Sequence, residues 1–94
     1  MTTAQANLPE FPEEFFNLIP KDLLCDLAAA AIFIGTELAQ LPTPCRRAME
    51  IKLEAELRKP PENLDLLAQC ILHITLNTSR DATFPQRLVD VLAQ

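Results

Sequence analysis

The sequence predicts an all-α fold, a small four-helix bundle-like domain with a short extra N-terminal helix. Three observations predict it. The chain holds one Gly in 94 residues and is rich in Leu and Ala, a balance that favours helices over tightly turned sheets. Its eight Pro fall in groups and divide the chain into blocks. Within each block the apolar residues recur at helical spacing. Residues 1–10 read as a flexible tail and 11–94 as one helical domain, in keeping with the size of a single core.

Pro12 opens a short helix to Leu18, with Glu13 and Glu14 in its first turn, where acids suit the helix dipole. The first long helix spans about Pro20 to Gln40. Leu23, Leu27, Ala31, Ile34, Leu38 and Leu41 form its stripe, and Leu24, Ala28 and Ile32 widen it. Such a broad apolar arc suggests a central helix with more than one neighbour. Gly35 costs helix stability and reads as a place of close helix approach or a slight kink.

Leu41 to Pro44 is a short link, so the second long helix is expected antiparallel beside the first. Thr43 reads as its N-cap and Pro44 as its first residue. Cys45, Met49, Leu53 and Leu57 make its stripe, while Ala48, Ile51 and Ala55 lie opposite. Lys59 to Pro61 breaks the chain again. The third long helix reads from about Glu62 to Thr78, apolar nearly all round. Its exception is the row Asp65, Gln69, His73 and Asn77, spaced by four. Thr83 caps a last helix with Phe84, Leu88, Val91 and Leu92 on one face.

Composition narrows the function classes. A net charge of −5 does not attract nucleic acid or an anionic membrane as a whole. No uncharged run, Leu27 to Thr36 included, reaches the ~20 apolar residues that cross a bilayer. Met1 to Asn7 lacks the basic and apolar regions of a signal peptide, so a cytoplasmic location is expected. The three Cys are then expected as free thiols.

No catalytic, cofactor or metal residue is assigned. Cys25, Cys45, Cys70 and His73 are zinc-ligand types. In an up-down bundle, however, Cys25 and Cys45 differ in height by roughly 20 Å, whereas ligands must lie about 2.3 Å from one ion. They read as small buried hydrophobes. His73 has only neutral neighbours, Gln69 and Asn77, at four residues either side, which resembles no triad. The row reads as a wet face or, alternatively, as the polar seam of a helix–helix interface. A single Gly excludes a phosphate-cradling loop.

Five of the eight basic residues sit on the second long helix: Arg46, Arg47, Lys52, Arg58 and Lys59. Glu50, Glu54 and Glu56 interleave with them. Arg46–Glu50, Lys52–Glu56 and Glu54–Arg58 are four apart, which reads as a salt-bridged solvated face. A DNA-binding recognition helix is absent from the block that follows.

Phe11, Phe15 and Phe16 cluster among acids and Pro in a segment too short to bury them alone. The segment must dock on its own bundle, exchange with a second copy, or engage another protein, in that order of preference. The expected function is a non-catalytic interaction or regulatory adaptor, self-associating as a homodimer or binding a protein partner. Phe11, Phe15, Phe16, Ile51, Gln69 and His73 are its candidate partner-binding residues. The alternative is a small ligand-binding or enzymatic domain built on His73.

Overall fold

The computed structural model describes residues 8–60 and 65–94. It is all-α, with five helices in the described residues: α1 (Glu14–Leu18), α2 (Lys21–Ala39), α3 (Thr43–Leu57), α4 (Leu66–Arg80) and α5 (Phe84–Leu92). Four of them form the bundle and α1 is the short addition.

Proline sets two of the helix starts. Pro20 and Pro42 stand just before α2 and α3 in extended conformation, with ψ of 140° and 145°. Thr43 is therefore already helical and does not cap α3. The restricted backbone of Pro42 places the boundary one residue earlier. α4 begins later than its apolar pattern suggests. Asp65 caps it, accepting a hydrogen bond from the Leu67 N–H at 3.1 Å. Glu62, its expected start, lies outside the described residues. Thr83 precedes α5 without capping it. Its N–H and hydroxyl instead both donate to Asp81 Oδ1, at 2.9 and 2.7 Å.

α2 and α4 form the centre of the bundle. The face that α2 buries is Leu24, Ala28, Ala31, Gly35 and Leu38. It lies at one side of the expected arc: Ala31 and Leu38 of the stripe and Leu24 and Ala28 of its widening are buried, while Leu23, Ile34 and Leu41 stand exposed. The reason is size. Ala28, Ala31 and Gly35 let two helix backbones approach, and that contact outweighs burial of the larger flank. A Cβ on Gly35 would lie 2.6 Å from Thr78 Cβ and 2.7 Å from the Thr75 carbonyl oxygen. Gly35 thus serves close approach, and α2 is continuous through it. Thr78 Oγ1, buried in this contact, has no hydrogen-bond partner among the described residues.

The C-terminal ends of α2 and α4 meet the start of α5 around a small cavity lined by Thr36, Ala39, Thr78 and Pro85. α5 then returns along α2, so that Lys21 Nζ donates to the Gln94 carbonyl at 2.9 Å. α3 departs from the expected arrangement. It packs mainly on α4 and meets α2 only slightly. Its one fully buried residue is Glu50, and Cys45 and Met49 of the expected stripe are exposed.

Candidate functional site

The N-terminal segment is part of the core. Leu8, Phe11, Phe15 and Ile19 are buried with Cys70, Ile74, Phe84 and Leu88, and Phe16 packs against them half-buried. Phe11 is the hub, with ring centroids 5.1 Å from Phe15, 5.2 Å from Phe16 and 6.3 Å from Phe84. These edge and tilted geometries are the favoured ones for aromatic pairs. Leu8 and Glu10 therefore belong to the fold and not to a flexible tail. Phe11 and Phe15 are unavailable to a partner while the segment is docked, because their rings are spent on the chain's own core.

Polar links hold the segment on α4 and α5. Arg87 donates to Glu10 with both terminal guanidinium nitrogens, Nη1 and Nη2, at 3.3 and 3.0 Å, and from Nη2 also to Asp81 at 2.7 Å. Its guanidinium lies 5.9 Å from the Phe84 ring centroid, within cation–π range. The Arg87 hydrogen bonds hold the Glu10 carboxyl below its ordinary range. At Asp81 the hydrogen bonds from Thr83 lower the pKa most, with Arg87 adding to them. Asn77 Nδ2 donates to the Glu10 carbonyl at 3.1 Å.

The row on α4 is consequently not a wet face. Asp65 is exposed at the cap, but Gln69, His73 and Asn77 are half-buried. His73 and Asn77 receive the N-terminal segment of the same chain. His73 lies against Phe15, ring centroids 5.5 Å apart. Burial lowers its pKa, and the nearby Glu14 charge opposes that shift. The two rings are tilted by 59° to each other.

A second polar cluster joins α3 to α4. Glu50 accepts from Ser79 Oγ at 2.7 Å and faces Arg46 at 3.7 Å and Arg80 at 3.5 Å. Arg80 also holds Glu54 at 2.8 Å. Of the three expected pairs on α3, only Arg46–Glu50 forms. Glu54 turns to Arg80, and Glu56 pairs with Lys59 at 3.0 Å. A helix surface that reads as solvated is therefore the hydrogen-bonded joint between two helices. Isolated spacing could not reveal it, since Ser79 and Arg80 lie far along the chain.

Cys25 and Cys45 are exposed and Cys70 is buried. Burial pushes the Cys70 thiol up to about 11. Among the described residues no three His, Cys, Asp or Glu side chains gather as a metal site. No described helix is long and apolar enough to cross a membrane.

Most of the large exposed apolar side chains lie on α2 and α3, with Leu18 of α1 and Val89 of α5 exposed elsewhere. Phe33 is 66% exposed and Ile51 60%, with Ile34 and Met49 about half exposed. Ile51 was legible as a surface candidate because it lies opposite the α3 stripe. Phe33 was not singled out, although nine residues from the buried Leu24 is half a turn away on a helix. No known protein family, no curated protein and no solved structure matches this chain.

Proposed function

We propose that the protein is a non-catalytic interaction module of the regulatory or adaptor kind, and that it self-associates. The observation that carries this reading is the uncovered apolar surface of α2 and α3, with Phe33 and Ile51 standing in solvent. Singly exposed apolar residues are ordinary on protein surfaces. Several large ones on two consecutive helices resemble a contact surface.

The polar groups support the same reading. Glu10, Asn77, Asp81 and Arg87 tie the chain to itself, and Glu50, Ser79 and Arg80 join two helices. Glu50, Ser79 and Arg80 also line an open polar cleft with Arg46 and Arg47, where Glu50 and Arg80 are paired with each other across the helix joint. The basic residues of α3 alternate with acids, which favours a protein surface over a phosphate backbone.

Sedimentation velocity over a wide concentration range tests the proposal. Mass that rises with concentration is the expected result. A monomer at the highest soluble concentration overturns the self-association, and a turnover abolished by His73→Ala overturns the non-catalytic assignment.

A further inference from the structure

The exposed surfaces of α2 and α3 carry opposite charges at the same spacing. On α2, Asp26 and Glu37 are eleven residues apart and both exposed. Arg47 on α3 and Arg58, its helical C-cap, are also eleven apart and exposed. Eleven residues make just over three whole turns, so each pair shares one helix face, about 16 Å from end to end. Phe33 lies inside the acidic pair, seven residues after Asp26. Ile51 lies inside the basic pair, seven residues before Arg58.

These offsets mirror each other. Laying an α2 antiparallel to an α3 brings Asp26 to Arg58, Phe33 to Ile51 and Glu37 to Arg47 at once. Within one chain the faces cannot meet, because all six side chains point to solvent while the two helices touch only slightly. None of the four charged groups forms an ion pair with a described residue. Glu54 lies between the two arginines in sequence and feels both charges, but its carboxylate is bound to Arg80.

We infer that the Asp26–Phe33–Glu37 face of α2 docks antiparallel on the Arg47–Ile51–Arg58 face of α3 in a second copy of the chain. This rests on the self-association proposed above and specifies its surface. The apolar pair supplies the desolvated centre of the contact, and the flanking charges fix its direction and register. A parallel approach sets Phe33 and Ile51 out of step and loses that match. A second copy is the fitting occupant because one sequence carries both halves. The net charge of −5 makes contacts between two acidic surfaces repulsive and leaves α3 as the complementary face. Each copy offers one face of each kind. The contact closes as a dimer where a two-fold axis relates both pairs, and otherwise continues head to tail.

Charge reversal tests the surface separately from self-association. One variant carries Arg47→Glu with Arg58→Glu, and the other Asp26→Lys with Glu37→Lys. All four positions are exposed, and circular dichroism verifies that each variant stays helical. By sedimentation, each variant alone should associate at least about tenfold more weakly than the wild type, since like charges then face each other. An equimolar mixture of the two should recover association, because each restores the charge its partner lost.

Wild-type association that survives both variants, or weakened association that the mixture does not recover, overturns this surface and leaves self-association standing. A wild type that stays monomeric removes both. As a check on the apolar centre, Phe33→Gln should weaken association without lowering helicity, and an unchanged affinity would count against the pairing.

Discussion

His73 rests half-buried on Phe15, and loss of hydration holds its pKa below the ordinary imidazole value. The unfolded chain therefore binds a proton more readily than the folded one. Stability contributed by neutral His73 is complete above the unfolded pKa of about 6.5. It is lost as pH falls from there towards the lower folded value. Urea unfolding at a series of pH values should show the midpoint dropping below about pH 6.5, before the carboxylates titrate. His73→Gln should flatten that part of the profile, and a profile unchanged by the substitution would refute the assignment. The sequence showed the lone imidazole and its row but not its neighbour. Phe15 lies 58 residues away, a separation that spacing rules within one helix do not reach.

At the scale of elements, small residues decide the packing. Leu23, Ile34 and Leu41, large members of the expected α2 stripe, stand exposed, while the buried face is built around Ala28, Ala31 and Gly35. In an isolated helix, Gly35→Ala would gain close to 1 kcal/mol from helix propensity. In this fold the added methyl meets the Thr75 carbonyl, a backbone atom that cannot swing aside. The variant should lose roughly 1–3 kcal/mol by overpacking. Thermal or urea unfolding reads the sign directly, and a stabilised variant would mean that α2 and α4 do not approach so closely. The helix blocks themselves were legible because Pro and helical spacing act locally. The inward face of α3 was not. Glu50 is buried because Ser79 and Arg80 of α4 complete its hydrogen bonding, and burial of a charge is decided by partners that no local pattern contains.

For the molecule as a whole, the N-terminal segment is a structural member. The contiguous core cluster holds thirteen buried residues among those described, and four of them, Leu8, Phe11, Phe15 and Ile19, precede α2. A chain this short has little core to spare. Deleting residues 1–19 should unfold or gravely destabilise the bundle, and Phe15→Ala alone should cost about 3–5 kcal/mol. Circular dichroism melts of the two variants measure this. A truncated chain with an unchanged melt would show that the segment is an appendage.

The sequence alone determined the helical class, the number of blocks and most of their boundaries. Proline geometry and apolar spacing operate within a few residues and need no tertiary partner. It also determined that the Phe-rich segment needs a surface to cover it, since so short a helix cannot bury three rings. Only the tertiary structure decided which surface that is: the His73 and Asn77 side of α4, with the Arg87 clasp on Glu10. It likewise decided which apolar flank of α2 turns inward. The close approach at Gly35 outweighs burial of the larger side chains. That choice leaves Phe33 in solvent, on the face we assign to a second copy of the chain.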